Sequence, residues 1–266
     1  MAIDLKRYLK ERGRPIYHTI KTLYVYLSRH SQLREIPIDI CTNLLAFSFA
    51  PTGWHYFIET LKEYDQDKAI HFRDTTLYRF YQTYRSEDMF GLLCHPDNAA
   101  PAKFRPPFGI YPWGSFIAQS KYNGGIAKNR FTSHLCGPTE DSIIEINYNN
   151  LIRLYNELRT NGYRPWSYGK GFIGGTMLER TNGEKRFVVL EGNHRMAALS
   201  HLGFTKILVR YQPSAFKVIR ESEVMEWYYV RNGKCSEREA LYYFDLFFKS
   251  DGNERASALG VKKAND

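Results

Sequence analysis

The spacing of hydrophobic and polar residues in the second half of the chain predicts a β-hairpin. Residues 176–179 and 185–190 are rich in apolar, β-prone side chains, and they flank Asn182-Gly183, a strong short-range signal for a hairpin turn. Residues 205–211 show the strand pattern again. We therefore expect two antiparallel strands joined by a tight turn, and another strand further along the chain.

The segment between these strands predicts a sharp corner that leads into a helix. The apolar strand ends at Glu191, and Gly192 lets the backbone turn tightly because it has no Cβ. Asn193 is a favourable N-cap residue, and Gly203 is suited to ending the helix. The second hairpin strand is thus expected to run directly into a helix.

The first half of the chain shows mainly helical periodicity. Residues 3–12 predict a short basic helix, residues 19–28 fit either a helix or a buried strand, and residues 36–49 are mostly apolar. A helix is expected over residues 54–64, and Asp74 is expected to cap an amphipathic helix. The apolar face of that second helix consists of Leu77, Phe80, Tyr81 and Tyr84.

Residues 95–139 interrupt the periodicity with prolines, glycines and aromatic residues. A disordered linker seldom holds so many aromatic side chains, so we expect an ordered loop that packs across the two halves of the chain and over the corner. Trp113 fits a buried anchor of this loop better than a stacking platform for a sugar or a base.

Acidic residues precede the next predicted helix. The apolar stripe of that helix belongs to the core and consists of Ile144, Tyr148, Leu151, Ile152, Tyr155 and Leu158. Two interpretations of Thr139, Glu140 and Asp141 stay open. They either supply a helix cap and first-turn acids, or they bring a carboxylate near the corner, where it accepts a hydroxyl proton or binds Mg²⁺.

The C-terminal part of the chain predicts further helices. Residues 218–227 fit a helix, and Ser236 and Glu239 fit a capping box that opens an aromatic helix over residues 241–248. From residue 250 onward, small, polar and charged residues predict a flexible tail.

The corner at residues 191–195 has the chemistry of an anion-binding site. The first N–H groups of a helix have no partner within that helix, and the helix dipole adds positive charge at the same end. His194 and Arg195 stand beside these groups, and Arg195 adds a planar, permanently charged guanidinium. Phosphate is the expected ligand. The alternative is a structural turn with a surface arginine.

With the preceding amphipathic helix and Gly162-Tyr163-Arg164-Pro165, this order of elements resembles the ParB/sulfiredoxin superfamily over about residues 140–212. In that superfamily a Gly-x-His-Arg or Gly-Glu-Arg-Arg corner holds nucleotide phosphates. The resemblance implies that the phosphates of a nucleotide bind at Gly192, Asn193, His194 and Arg195.

The residues of the corner distinguish between three activities of the superfamily. Asn193 stands where sulfiredoxin has its reactive cysteine, and asparagine cannot form the covalent thiol intermediate. Partition proteins have a Gly-Glu-Arg-Arg-x-Arg-Ala corner, from which Asn193, His194 and Ala197 depart. The Gly-x-His-Arg form is most similar to ATP- or ADP-dependent kinases of small hydroxyl substrates.

The resemblance to these kinases implies a set of reactants and roles. ATP or another nucleoside phosphate is the expected donor, together with Mg²⁺, and a hydroxyl of a small-molecule or saccharide substrate is the expected acceptor. Glu191 would orient the corner or help to bind the metal ion. Glu140, Asp141 and Glu191 are the candidate catalytic carboxylates, and the sequence does not rank them.

Charge leaves a second class of function open. The 266 residues carry a formal net charge of +9, which favours an anionic partner. The basic residues are spread along the chain, so nucleic acid is not favoured over a small phosphate ligand. The alternative function is a nucleotide-sensing or nucleic-acid-binding module without kinase activity.

Composition also bears on the state of the cysteines and on the cellular location of the protein. Four scattered cysteines fit neither a zinc motif nor a disulfide framework, and they are expected to be buried or free thiols. No apolar run is long enough for a transmembrane segment, and the first residues lack the apolar segment of a signal peptide. A cytoplasmic protein is expected, of an oligomeric state that the sequence does not indicate.

These patterns together predict an α+β fold, with a mainly helical N-terminal half and a small mixed sheet with helices in the C-terminal half. The expected regions are a helical part (1–94), an ordered loop (95–139), a ParB/sulfiredoxin-like domain with C-terminal helices (140–249) and a flexible tail (250–266).

Overall fold

The computed structural model describes residues 33–86, 88–93, 103–115, 137–165, 171–211 and 218–262. The elements predicted over residues 3–12 and 19–28 lie outside these ranges. The strands are β1 (Leu33–Pro37), β2 (Cys41–Asn43), β3 (Ile110–Tyr111), β4 (Gly114–Ser115), β5 (Ile173–Glu179), β6 (Lys185–Glu191), β7 (Lys206–Tyr211) and β8 (Val218–Arg220). The α-helices are α1 (Tyr56–Gln66), α2 (Thr76–Thr83), α3 (Met89–Leu93), α4 (Asp141–Asn161), α5 (Asn193–His201), α6 (Tyr228–Arg231), α7 (Glu237–Lys249) and α8 (Asn253–Ala258). Short 3₁₀ helices cover Ile38–Ile40, Phe72–Asp74 and Glu221–Glu226.

Six strands form one mixed sheet in the order β1-β7-β5-β6-β2, and β8 pairs with the end of β5 beyond β7. The β5–β6 and β1–β7 pairs are antiparallel, whereas β2–β6, β5–β7 and β5–β8 are parallel. Sheet and helices together form the predicted α+β fold. None of the helices in the described ranges combines the length and apolar character that crossing a bilayer requires.

The predicted hairpin is confirmed in β5 and β6, but its turn begins earlier than the Asn-Gly pair. The Gly183 N–H donates to the Arg180 carbonyl at 3.0 Å, so the turn is centred on Thr181 and Asn182. Gly183 follows with a φ of 86°, a conformation that glycine adopts without strain. The strand predicted over residues 205–211 is confirmed as β7.

Two strands of the sheet come from residues 33–43, where the sequence analysis predicted no strand. β1 buries Leu33 and Ile36 and exposes Arg34 and Glu35 between them. This spacing lacks the strict alternation by which a half-buried strand is recognised. β2 has only three residues, all of them buried. Its place beside β6 puts the end of β2 next to the predicted corner.

The helices that pack beside the corner follow the sequence prediction closely. α5 packs against both α1 and α4. The stripe predicted for α4 is buried except for Ile152, which is partly buried. The face predicted for α2 is buried, but Thr75 rather than Asp74 caps this helix, because the Thr75 hydroxyl accepts the Tyr78 N–H at 3.4 Å. Asp74 instead ends the preceding 3₁₀ helix.

The described part of the aromatic loop, residues 103–115, packs between distant parts of the chain. Trp113 is 2% exposed and stacks on Tyr111 with ring centroids 5.1 Å apart, which confirms it as a buried anchor. The Tyr111 hydroxyl donates to the Leu44 carbonyl at 2.8 Å. On the other side, the carboxylate of Glu239, part of the predicted capping box of α7, accepts the Phe104 N–H at 3.0 Å.

The C-terminal part of the chain is more ordered than its composition indicates. Residues 218–220 form a strand and residues 221–226 a 3₁₀ helix, rather than one helix. Within the predicted flexible tail, residues 253–258 form α8. The Arg255 guanidinium of α8 lies 4.1 Å from the centre of the Phe47 ring and donates to the Leu45 carbonyl. Residues 253–258 therefore do not form the predicted flexible tail. The composition of this segment does not reveal that Arg255 is buried and has these partners. Cys41 and Cys235 are buried free thiols, as expected.

Asp65, near the end of α1, connects three helices through its carboxylate. It accepts hydrogen bonds from the Tyr155 hydroxyl of α4 and from His201 Nε2 of α5, both at 2.7 Å, and it pairs with Lys68. Burial alone would raise the pKa of Asp65, but the hydrogen bonds from Lys68, Tyr155 and His201 outweigh it and lower the pKa from 3.8 to about 2.

We expect Asp65→Asn to lower the free energy of unfolding by about 1 kcal/mol at neutral pH, a value reduced for the partial exposure of the carboxylate. Because the folded pKa lies below the unfolded one, this stabilisation is fully present above about pH 5 and is lost as the pH falls towards about 2. Urea unfolding at pH 7, 4 and 2.5 measures it, with the exposed Glu226→Gln as control. A difference between wild type and variant that is equal at all three pH values would contradict the assignment.

Candidate functional site

A cavity of about 260 Å³ lies at the N-terminus of α5. Its walls come from the end of β2 and the loop after it, from α1, α2 and α4, and from the predicted corner. The residues that line it are Asn43, Leu44, Leu45, Tyr56, Phe57, Tyr81, Asn147, Leu154, Gly192, Asn193, His194 and Arg195. All four residues predicted to bind phosphates therefore line one cavity.

The corner itself is made by Gly192. β6 ends at Glu191, and Gly192 adopts a left-handed conformation with φ 92° and ψ 27°. Gly192 is the N-cap of α5, and no side chain caps the helix, so the expectation that Asn193 is the N-cap is wrong. The left-handed glycine turns the chain by itself, and Asn193 becomes the first helical residue.

The first turn of α5 forms part of the cavity wall. The first hydrogen bond within the helix runs from the Met196 N–H to the Gly192 carbonyl at 2.9 Å. The N–H groups of the three preceding residues come before this first bond and stand at the positive end of the helix dipole. These three residues are Asn193, His194 and Arg195, all of which line the cavity.

Arg195 supports the corner from beneath. Its side chain is buried, with 4% exposure, and Nη1 donates to the Gly171 carbonyl. A Cβ built on Gly192 would lie 3.0 Å from Arg195 Nη2, so the guanidinium packs directly against the turn. Arg195 both fixes the corner to the segment before β5 and brings a permanent positive charge to the cavity.

His194 faces a fully buried second histidine. Its ring meets the Phe57 ring edge-on at a centroid distance of 4.4 Å. His55, which caps α1 by accepting the Phe57 N–H at 3.2 Å, has a pKa well below its ordinary value because of burial first and the positive charge of a protonated His194 second. His55 is therefore held in its neutral form.

Asn43 holds the loop after β2 against this wall. Its Oδ1 accepts the N–H groups of Leu45 and Phe47, each at 2.9 Å, and this pairing fixes the orientation of the amide. Asn43 Nδ2 then lies 3.2 Å from His55 Nε2. The same amide shares a hydrogen bond with Tyr56, whose pKa is raised well above its ordinary value, mainly by burial.

Amide oxygens supply acceptors at the cavity. Asn193 Oδ1 is buried without a hydrogen-bond partner among the described groups. Asn147 uses its Nδ2 on the Ile143 carbonyl at 3.1 Å, which leaves its amide oxygen for other partners. A buried acceptor without a partner destabilises a protein by about 1–3 kcal/mol, so a ligand that donates to Asn193 would relieve this cost.

The three predicted carboxylates do not line the cavity. Glu140 is the N-cap of α4, without a side-chain cap bond, and is exposed. Asp141 lies in the first turn of α4 and pairs with Arg73 at 2.7 Å. Glu191 precedes the corner directly, but its half-exposed carboxylate lies 3.4 Å from Arg210. The structure thus brings together residues 192–195 and leaves the acidic candidates outside the described lining.

Several lining residues were not predicted. Tyr56, Phe57 and Tyr81 were assigned only to helices of the core, because periodicity identifies a buried face but not a cavity within it. Asn43 and Asn147 did carry a signal. Asn43 is a polar residue in a mostly apolar stretch, Asn147 lies three residues after Ile144 on the apolar side of α4, and a buried amide requires partners.

Comparisons with protein-family models, with curated proteins and with solved structures give no match. The ParB/sulfiredoxin resemblance stays a prediction from the sequence. Within the described residues, no three or more His, Cys, Asp and Glu side chains come together as metal ligands do.

Two glycine substitutions separate backbone strain from crowding at the corner. Gly192→Ala and Gly203→Ala both place alanine at positive φ, 92° and 82°, which costs about 1–2 kcal/mol of stability. A Cβ at position 192 would also lie 3.0 Å from both Arg195 and Ile173, whereas position 203 is open. Urea unfolding should show the larger loss for Gly192→Ala. Equal losses would show that the corner is not tightly packed.

Proposed function

We propose that the protein binds a nucleoside phosphate in the cavity at the N-terminus of α5 and transfers a phosphoryl group to a hydroxyl of a small-molecule or saccharide substrate. The observation that carries the proposal is the meeting of the first turn of α5 with His194 and Arg195 in one cavity whose described lining contains no acidic residue. Such a wall attracts anions.

The donors around the cavity suit a phosphate group. Backbone N–H groups at a helix N-terminus bind phosphate oxygens, and the dipole and the nearby arginine favour negative charge. Each hydrogen bond to a charged group contributes about 1.5–3 kcal/mol, so two or three support useful nucleotide affinity. Arg195 supports the corner, and its positive charge adds to the attraction of the cavity for phosphate.

Part of the cavity wall is apolar. Leu44, Leu45, Phe57 and Leu154 line it beside the polar groups. At about 260 Å³ its volume lies just below the range of about 300–1,000 Å³ that is usual for ligand pockets. The cavity therefore suits the phosphate-bearing end of a nucleotide, with apolar contacts to the adjoining part.

The proposed reaction is a direct transfer. The acceptor oxygen forms a bond to the terminal phosphorus, the bridging P–O bond breaks, and the remaining nucleoside phosphate keeps the bridging oxygen. The hydroxyl proton requires a base. His194 lines the cavity, and Glu191 adjoins the corner in sequence, so these two precede Glu140 and Asp141 as candidates.

Mg²⁺ fits this cavity only in part. The described lining offers amide oxygens of asparagine but no carboxylate. Magnesium is often bound through substrate phosphates with one or two protein oxygens, so the ion would arrive with the nucleotide. We assign no step of the reaction to this ion.

The absence of carboxylates from the described lining also favours a second function. A nucleotide-sensing module needs the phosphate-binding wall but no base. In that case ligand binding would change the stability of the corner without any transfer. Nucleic acid is the remaining anionic partner, and its binding would show a steep dependence on salt concentration.

We expect Asn193→Asp to abolish nucleotide binding in a protein that still folds. The substitution keeps the shape of the side chain and adds a negative charge in the first helical turn, where acids stabilise a helix but repel phosphate. Isothermal titration calorimetry with ATP and with adenosine measures binding, and thermal unfolding measures stability.

The chain contains a matched control for this variant. α8 also begins with asparagine after a left-handed glycine, Gly252 with φ 91°, and that helix does not line the cavity. Asn253→Asp should bind ATP as wild type does. Unchanged ATP affinity in Asn193→Asp, or adenosine binding that is equally impaired, would contradict a phosphate site at α5.

The transfer reaction is tested with terminally labelled ATP and a panel of amino acids, sugars and sugar phosphates. We expect one acceptor to become labelled. Replacing the base among Glu140, Asp141, Glu191 and His194 should lower turnover by about 10²–10⁴ while nucleotide affinity changes little for the carboxylates. Nucleotide binding without any labelled product would favour the sensing module instead.

A further inference from the structure

Two helices point their N-termini at the cavity. The ring of Phe57, the second residue of α1, contacts the ring of His194, the second residue of α5, at a centroid distance of 4.4 Å. Near the other ends of the same helices, Asp65 Oδ2 lies 2.7 Å from His201 Nε2. α1 and α5 therefore run side by side in the same direction. The positive ends of both dipoles meet at the cavity, each equivalent to about half an elementary charge.

The described lining of the cavity holds no negative side chain that would compensate these charges. α1 is capped by the neutral imidazole of His55, and α5 by Gly192. The acid in the first turn of α1, Glu59, lies outside this lining and pairs with Lys62 at 2.8 Å. The lining also contains the permanently positive Arg195. The cavity therefore offers a bound cation no carboxylate as partner.

Asn147 brings a hydrogen-bond acceptor to this cavity from α4. Its Nδ2 donates to the Ile143 carbonyl, one turn earlier, at 3.1 Å, and this bond fixes the orientation of the amide. Asn147 Oδ1 has no partner among the described groups. α4 packs against α5, and both helices line one cavity of about 260 Å³, so a single small molecule can contact both. An amide oxygen accepts hydrogen bonds but does not serve as a base.

We infer that the hydroxyl acceptor of the reaction is an uncharged polyhydroxy compound, and that Asn147 Oδ1 accepts a hydrogen bond from the hydroxyl next to the one that reacts. This inference rests on the proposed function and names the class of its substrate. The reacting oxygen bonds to the terminal phosphorus, the bridging P–O bond breaks, and the proton of the reacting hydroxyl passes to the base of that reaction. The neighbouring hydroxyl keeps its proton, because Asn147 only accepts.

The same features disfavour an amino acid or an amino alcohol as acceptor. An ammonium group that leaves water requires a charged partner or several acceptors. The described lining offers it asparagine oxygens, whereas Arg195 and the two helix ends repel a positive charge. A hydroxyl is a neutral donor, so it suits Asn147 without this penalty.

A panel of small acceptors tests the substrate class. Wild type is incubated with terminally labelled ATP and glycerol, ribose or inositol, and in parallel with 1-propanol, ethanolamine or L-serine. We expect at least one polyol to be labelled faster than all three comparison compounds. If any comparison compound is labelled as fast as every polyol or faster, the inference is wrong and the transfer reaction stands. If no compound is labelled, the inference falls together with the transfer reaction, and ATP binding that Asn193→Asp abolishes would still support the phosphate site.

Asn147→Leu tests the contact, because leucine has a similar size and lacks the acceptor. We expect the KM of the labelled polyol to rise about 5- to 30-fold, the effect of one lost hydrogen bond, with the affinity for ATP unchanged. Asn149→Leu is the matched control, since Asn149 is exposed on the same helix outside the described lining, and it should keep the wild-type KM. Thermal unfolding shows whether both variants fold. A wild-type KM in Asn147→Leu would contradict the contact.

A deoxy analogue of the labelled polyol gives a readout that a structural role of Asn147 would not move. Loss of the neighbouring hydroxyl should raise the KM of wild type by about the same factor, whereas Asn147→Leu should use both acceptors equally well. If the analogue is equally impaired in wild type and variant, Asn147 does not contact that hydroxyl. If wild type itself does not distinguish the two acceptors, the neighbouring hydroxyl makes no contact and the inference is wrong.

Discussion

The left-handed turn at Gly192 decides where the first turn of α5 points, and the candidate site depends on that direction. β6 lies inside the sheet between β5 and β2, so the strand that enters the turn is held on both sides. Arg195 packs against the turn and donates to the Gly171 carbonyl before β5. A larger residue at position 192 would meet strain and crowding together.

The rest of the cavity is assembled from parts of the chain that are far apart in sequence. Asn43 ends β2, the strand beside β6, and its amide orders the loop that supplies Leu44 and Leu45. That loop is held from outside by the hydroxyl of Tyr111 and by the guanidinium of Arg255. The loop of residues 103–115 and helix α8 therefore help to fix the shape of this cavity wall.

The sequence predicted the half of the site that is local. A strand, a glycine and a helix follow one another within a few residues, so the sequence predicted a strand-to-helix corner at 192–195, and the structure has it there. That this corner binds an anion stays a prediction. Hairpin strands and apolar helix faces were predicted for the same reason, because periodicity is a local signal. Asn193 was misjudged as the cap since glycine and asparagine both suit that position, and only the backbone conformation distinguishes them.

The sequence could not predict the half that depends on tertiary packing. β1 lacks alternation, and β2 is too short to show it, so their pairing with the sheet had no signal. Glu140 and Asp141 precede the site in the chain, but Asp141 pairs with Arg73 away from the described lining. Tyr56 and Tyr81 were predicted only as core residues, because a buried residue that lines a cavity shows the same sequence pattern as one that packs against its neighbours.

We propose that the backbone N–H groups at the start of α5 bind phosphate. The most direct measurement is a titration of ¹⁵N-labelled protein with ATP, followed by amide chemical shifts in two-dimensional NMR spectra, with adenosine as the comparison. Phosphate binding at this end of α5 predicts that the largest shifts occur at the amides of Asn193, His194 and Arg195, and that adenosine does not reproduce them. ATP-induced shifts located elsewhere, with these three amides unchanged, would contradict it.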